Sequence, residues 1–284
     1  MGIKRRMKIA IRGVRGSIPT SGPDTAYYGG NTSCIEVSED GWILLLDGGS
    51  GMRKPDTCNK PASKRIDILL THLHFDHIQG LGFFRPLFDP AVEIHIWGPA
   101  SSKQTLYSRL SRYLSPPLFP VRIRDLPCRL NLHEIENSVF EIGPFIIQSG
   151  YVIHPGPTVG FRVTGLHSVF TYIPDHEPAL GHNGILKDRK WISGFDLAYG
   201  ADLLLHDAQY SLQEYKDKMG WGHSSMDDTL LFASIAEVKH LLLTHHDPSH
   251  SDAQLNEIFA ALQKRNSYPF KYELAAEGME IELP

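Results

Sequence analysis

Residues 69–78 read LLTHLHFDHI, an apolar pair and a threonine followed by His72, His74, Asp76 and His77 within six positions. Imidazoles and a carboxylate packed this densely after an apolar run have the composition of a metal site. If the strand ends near Thr71, His72 and His74 lie two apart in an extended turn and can converge on one ion. Asp76 and His77 can then face a second, on a turn leading into a helix around Ile78–Leu81. This donor set suits Zn²⁺, admits Mn²⁺ or Fe, and argues against Ca²⁺. A histidine-rich loop without metal is the alternative, and the rest of the chain has to supply partners to exclude it.

The chain offers an echo. Leu69-Leu70-Thr71-His72 recurs as Leu242-Leu243-Thr244-His245, again at the end of an apolar strand. Two equivalent strands would then each deliver a histidine to one edge. The bulk properties are compatible with such a protein: 284 residues at 42% hydrophobic content can bury a substantial core in one large α/β domain or two small ones. A formal net charge of -4 gives no global case for binding nucleic acid or an anionic membrane. Cys34, Cys58 and Cys128 are odd in number and lack CxxC spacing, which fits a reducing compartment. The opening MGIKRRMKIAIRGVRG has only a broken apolar run, and no later window reaches membrane-spanning length, so the expectation is a cytoplasmic protein without a membrane partner.

Short apolar strands alternate with amphipathic helices along the chain. Strands are expected at segments such as KIAIRGV, WILLLD, SVFTYIPD and DLLLHDA, with YELAAEGMEIEL at 272–283 read as a single strand. Helices are expected near 101–114, 209–218, 225–237 and 251–265. The loops 52–65 and 176–190 read as surface excursions, and this interleaving favours a layered α/β architecture with mixed sheets.

THLHFDH matches the HxHxDH signature, and on it the chain resembles the metallo-β-lactamase superfamily from about Lys8 to Leu283. WILLLDGGSG looks like that superfamily's early strand, ending in a structural aspartate, Asp47. The resemblance implies His154, in YVIHPGP, as a further histidine ligand, Asp175, in FTYIPDHE, as a metal-bridging aspartate, and His245, in LLLTHHDP, as the final ligand in preference to His246. It further implies a four-layer αββα sandwich of two mixed β-sheets flanked by helices. The expected unit is a single domain over 7–284, with two pseudo-related halves at about 7–140 and 141–284. The implied metal set is His72, His74, Asp76, His77, His154, Asp175 and His245 around two divalent ions. His95, His133, His167 and His240 read as structural or surface histidines without partners, while His176 and His182 flank the presumed site.

The fold hosts many hydrolyses, so the substrate has to be argued from the site. Flavodiiron relatives usually carry glutamate where this chain has His74. HDAQY at 206–210 and GWGHSSMDD at 220–228 are similar to segments of ribonuclease Z and of the cyclic phosphodiesterases of phosphonate degradation. That similarity implies phosphodiester hydrolysis by a metal-bound hydroxide, with Asp76, His223 and Asp207 as catalytic residues. His223 would protonate the leaving group and Asp207 would orient its ring, a general-acid role typically worth ~10²–10⁴ in rate. RGSIP at 15–19 and YYGGNTSC at 27–34 could offer backbone amides or Asn31 to phosphate. Segment 99–135 reads as a helix and a Pro-rich stretch, and no glycine-rich basic arm for transfer RNA is found. A small phosphodiester such as a cyclic nucleotide is therefore expected, structured nucleic acid is not, and a homodimer is common among the resembling enzymes. A lactonase or thioesterase, or a non-catalytic metal-binding sensor, are the alternatives.

Overall fold

The strand-forming segments sort themselves by which faces they bury. In the computed structural model, which describes residues 6–53, 64–178, 185, 188–265 and 267–284, fourteen strands form two seven-stranded sheets. In chain order they are β1 (Lys8–Gly13), β2 (Cys34–Glu39), β3 (Trp42–Leu46), β4 (Arg65–Leu69), β5 (Glu93–Pro99), β6 (Arg129–Ile135), β7 (Ser138–Ile142), β8 (Phe145–Tyr151), β9 (Val159–Thr164), β10 (Val169–Ile173), β11 (Leu203–Asp207), β12 (His240–Thr244), β13 (Lys271–Leu274) and β14 (Glu280–Glu282). The first sheet runs β14-β1-β2-β3-β4-β5-β6 and the second β13-β12-β11-β10-β9-β8-β7.

Strand WILLL is apolar throughout because both its faces are covered. Leu44 and Leu46 enter the core between the sheets, while Leu45 faces the outer layer. In the second sheet Leu203 and Leu205 point inward and Leu204 outward in the same way. Helices α1 (Phe75–Ile78) and α2 (Leu106–Ser111) cover the first sheet through Ile78, Leu106 and Leu110. Helices α3 (Phe195–Ala198), α5 (Met226–Ile235) and α6 (Asp252–Arg265) cover the second through Leu197, Leu230, Leu255 and Leu262. Between α3 and α5 lies the short α4 (Leu212–Tyr215), closed by a Ser211–Glu214 capping box. This is the four-layer αββα arrangement that the resemblance implies. Cys34 and Cys128 are buried thiols, and Cys58, His182 and most of loops 52–65 and 176–190 lie outside the described residues.

Each sheet has the same succession of pairings, three antiparallel and then three parallel. This corrects the equivalence read from the Leu-Leu-Thr-His echo. By pairing, β4 corresponds to β11, and β12 to β5, so the two copies of the motif end strands of different rank. Two other expectations change. Segment 272–283 is two strands: β13 closes the second sheet, the chain turns at Gly278 with φ +88, and β14 closes the first. Residues 129–135, read as part of a helical and Pro-rich insert, form edge strand β6. The helix expected over 101–114 is shorter because Thr105 caps it, its hydroxyl accepting from Ser108 N–H at 3.2 Å. Among the described residues no helix is long and apolar enough to cross a membrane.

Candidate metal centre

Strand ends of both sheets converge on one pocket. From the first sheet, the turn after β3 carries Asp47, and the turn after β4 carries His72, His74 and α1 with Asp76 and His77. From the second, the segment after β8 carries His154, the turn after β10 Asp175, the end of β11 Asp207, and the turn after β12 His245. Asp47 and His245 adopt left-handed backbone, φ 60 and 61, a conformation that costs non-glycine residues about 1–3 kcal/mol and clusters at functional sites.

The side chains form two overlapping sets. Ligand atoms of His72, His74 and His154 lie within 4.8 Å of one another, as do those of Asp76, His77 and His245. Asp175 stands between the sets. Its Oδ1 is 3.7 Å from His72 Nε2, 3.8 Å from His154 Nε2 and 3.3 Å from His245 Nε2, and its Oδ2 is 3.1 Å from His77 Nε2. Asp76 Oδ2 is 3.3 Å from His77 Nε2 and 3.4 Å from His245 Nε2. Donors at about 2.0–2.1 Å around a tetrahedral ion sit about 3.3 Å apart, so these spacings fit a cation. Buried atoms with no hydrogen-bond partner make the same point: His72 Nε2, His77 Nε2 and Asp175 Oδ2 all face the pocket.

Every inner ring except His74 is anchored by its other nitrogen. Nδ1 of His77 meets Asp47 Oδ2 at 2.8 Å, and Nδ1 of His72 meets the Thr71 hydroxyl at 3.1 Å. His154 Nδ1 meets the Gly222 carbonyl at 2.7 Å, and His245 Nδ1 meets Gln209 Oε1 at 3.2 Å. With Nδ1–H donating outward, Nε2 presents its lone pair inward, the ligand tautomer that such outer partners impose. His74 is turned the other way, with Nδ1 3.2 Å from His154 Nε2, and is exposed, so the pocket opens over it. Asp47 also accepts from the Thr71 amide at 2.8 Å and from the Tyr172 hydroxyl at 2.9 Å.

Carboxylates set the electrostatics. Burial disfavours charge on His77, yet Asp175, Asp76 and Asp47 together raise it well above the ordinary imidazole value. His245 is likewise raised against burial, to about 9, by Asp175 first. Burial pushes Asp175 the other way, but His245, His77 and His72 hold it well below the usual carboxylate range. The pocket thus attracts positive charge. His72 is lowered well below its usual value, by burial and then by His77.

His223 borders this pocket. Its Nδ1 meets Asp207 Oδ2 at 2.7 Å, its ring stacks on His245 at 4.9 Å between centroids, and it meets His154 edge-on at 5.0 Å. Asp207 is fully buried and also accepts from the amides of His176 at 3.0 Å, Gln209 at 3.0 Å and Ser224 at 3.3 Å. Ser225 is the cap of α5, its hydroxyl accepting from Asp228 N–H at 3.0 Å, so His223 itself is not needed for capping.

Some expected residues lie elsewhere. His246 Nε2 is bonded to the Ala275 carbonyl at 2.8 Å, facing away from the pocket. His176 Nδ1 pairs with His206 Nε2 at 2.9 Å behind the site. His95 and His133, read as having no partners, bond each other at 2.8 Å, and His240 bonds Glu273 at 2.8 Å. Of the segments expected to face phosphate, the Ser17 amide donates to Asp76 Oδ2 at 2.8 Å, and Asn31 is engaged by Glu277 at 2.7 Å and Ser50 at 3.0 Å. The anchors Thr71, Gln209, Tyr172 and Gly222 carried no sequence signal of their own. Each lies beside a recognised donor, Thr71 in THLHFDH, Tyr172 in FTYIPDHE, Gln209 in HDAQY and Gly222 in GWGHSSMDD.

Known proteins share the family and the fold of this chain. The family model of the beta-lactamase superfamily domain matches residues 42–246. Ribonuclease Z of Myxococcus xanthus is 23% identical over 304 residues, covering 89% of this chain and 92% of that protein. Among solved structures, the metallo-beta-lactamase fold protein YhfI from Bacillus subtilis superposes with a TM-score of 0.70 at 18% identity, covering 98% of this chain and 100% of that one. A diphosphatase from the PhnP family superposes at 0.69 and 19% identity, covering 98% and 97%. A fold of this class implies divalent metal ions, and the clustered imidazoles and carboxylates are chemically suited to them. The chain belongs to the beta-lactamase superfamily, as a ribonuclease Z-like hydrolase of the metallo-β-lactamase fold.

Proposed function

We propose that this protein hydrolyses a small phosphodiester, a cyclic nucleotide or related cyclic phosphate, using two divalent cations, Zn²⁺ or Mn²⁺. His72, His74 and His154 would hold one and Asp76, His77 and His245 the other, with Asp175 shared between them. Cations bound there would neutralise the phosphodiester oxygens and acidify a water. The observation that carries the reading is His223. Its Nδ1 is fixed by the buried Asp207 and its ring lies against His245, so Nε2 is left to hold a proton beside the pocket. An alkoxide leaving group needs such a proton far more than a thiolate does, which favours phosphodiesters over thioesters. Asp207 acts by fixing the orientation of the ring through Nδ1.

The relatives named ribonuclease Z support a second reading, in which the diester belongs to an RNA. Against it stands the net charge of -4, and the segment between β5 and β6, though basic through residues such as Arg112, Arg122 and Arg124, holds only α2 and short turns. The test is hydrolysis of bis(p-nitrophenyl) phosphate by protein loaded separately with Zn²⁺ and Mn²⁺, with Asp76→Ala as control. 2′,3′- and 3′,5′-cyclic nucleotides, a precursor transfer RNA and a lactone follow. Metal-dependent cleavage of cyclic nucleotides that the control lacks is the expected outcome. Cleavage of the RNA alone would select the second reading, and activity on the lactone alone would overturn both. His223→Ala is expected to slow poor leaving groups by ~10²–10⁴ while leaving metal content intact.

A further inference from the structure

Beside His223 an aromatic side chain is held rigidly and left bare. Glu177 is fully buried, and its Oε1 accepts from the Gly220 amide at 2.7 Å while its Oε2 accepts from the Gly222 amide at 2.7 Å. Tyr215 hydroxyl donates to the same carboxylate at 2.8 Å. The backbone is therefore fastened on both sides of Trp221. Gly222 has φ +88, and a Cβ there would lie 2.6 Å from His154 Nδ1, so this turn needs glycine both for its conformation and for its approach to the ligand ring. Trp221 itself remains 57% exposed, although the Lys218 ammonium lies over its ring at 4.0 Å. A ring with one face covered by a cation and still this exposed presents its other face to solvent.

A second exposed aromatic adjoins the ligand histidines. Phe75 stands between His74 and Asp76, is 59% exposed, and is set edge-on against Tyr113 at 5.4 Å. Both segments meet at His154, whose Nδ1 touches Gly222 and whose Nε2 touches His74. Two exposed aromatic residues, Trp221 and Phe75, are thus chain neighbours of the groups that touch this ring. Other aromatics of this chain, Trp191 and Phe83 among them, are exposed too, so exposure alone marks nothing; what sets Trp221 apart is the buried carboxylate that fixes its turn and its place two residues from His223. A planar, uncharged ring system attached to the phosphodiester is the chemical group that such a side chain would grip, because stacking tolerates any base and is worth a measurable fraction of binding.

We propose that Trp221 is the stacking platform for a nucleobase, so that the substrate is a nucleoside phosphodiester, with Glu177 positioning the platform. This rests on the phosphodiesterase reading, but its test does not need turnover. Adenosine 5′-monophosphate and ribose 5-phosphate, which differ only by the base, would be titrated calorimetrically into metal-loaded protein, with Trp fluorescence as a second readout. The expected result is a Kd for the nucleotide at least roughly 10-fold below that for the sugar phosphate. Trp221→Ala should raise the nucleotide Kd to that of the sugar phosphate, leaving the sugar phosphate Kd and the metal content unchanged, while Trp221→Phe keeps most of the preference. Equal affinities for the two probes in the unmodified protein, or a preference that survives Trp221→Ala, overturns the inference. A preserved base preference together with no phosphodiester cleavage would instead sink the proposed reaction and leave the platform standing.

Discussion

Two clusters of buried imidazoles lie side by side in this protein with opposite electrostatics. In the metal pocket, Asp175, Asp76 and Asp47 surround His77 and His245 and raise both rings. A few residues away, His176 and His206 bond each other against the Phe232 ring, 4.8 Å from His206, and the only oxygen facing His206 Nδ1 from Asp207 is its backbone carbonyl at 2.8 Å. Burial pushes His206 down to about 4 and takes His176 well below its usual value. Burial is common to both clusters, so it is not what makes a ligand. A ring anchored at one nitrogen, bare at the other and facing carboxylates is disposed to take a cation; a ring hydrogen-bonded to a neutral neighbour in an apolar setting is packing.

The sharpest way to break this contrast is Asp175→Ala. Metal content by elemental analysis and hydrolysis should fall together, hydrolysis by about 10³-fold or more, because one residue serves both ligand sets. Retention of bound metal would remove Asp175 from the centre. Next comes acid stability. His206 is held neutral, so it contributes nothing unfavourable above the ordinary imidazole value near 6.5, and its contribution is lost as pH falls from there towards about 4, where the unfolded chain binds the proton and the folded one resists it. The loss amounts to roughly 3 kcal/mol. Urea unfolding of chelator-treated protein at pH 7.5 and 4.5 should show His206→Gln less acid-sensitive than the unmodified chain, and parallel pH profiles would refute the assignment. Asp47→Asn should weaken metal binding 10- to 100-fold, read by competition with a fluorescent chelator, since it removes the charge behind His77. The smallest effect is expected outside both clusters. His133→Gln, in the ring stack with Trp97 at 3.9 Å, should cost about 1 kcal/mol or less and leave metal content unchanged.

What the sequence revealed follows from how local each constraint is. HxHxDH is legible because four donors within one turn need no knowledge of the fold, and WILLL is legible because a strand covered on both faces is apolar throughout. Edge strand β6 is half-exposed along most of its length, so its alternation is faint beside the Pro-rich run before it. Segment 272–283 has one continuous composition yet serves two sheets, and only the left-handed Gly278 marks the break. His245 enters the pocket by its φ of 61 and its contacts to Asp76 and Asp175, not by strand equivalence with His72. Glu177 and Gln209 act across 45 and 36 residues of chain, and no spacing rule encodes such pairs.

His77 has a mechanical meaning as well as a chemical one. Asp47 from the first sheet holds its Nδ1 at 2.8 Å, its Nε2 faces Asp175 from the second across 3.1 Å, and Tyr172 on β10 reaches across to Asp47 at 2.9 Å. The Tyr172–Asp47–His77 chain is a strut spanning the two layers of the sandwich. Sliding one sheet over the other by about 1 Å, a shear of ordinary size between packed elements, would pull the Tyr172–Asp47 hydrogen bond out of range and part Asp175 from His77. The centre therefore acts as a gauge of sheet-to-sheet alignment, and a bound cation would brace the whole sandwich against shear as it braces its own ligands.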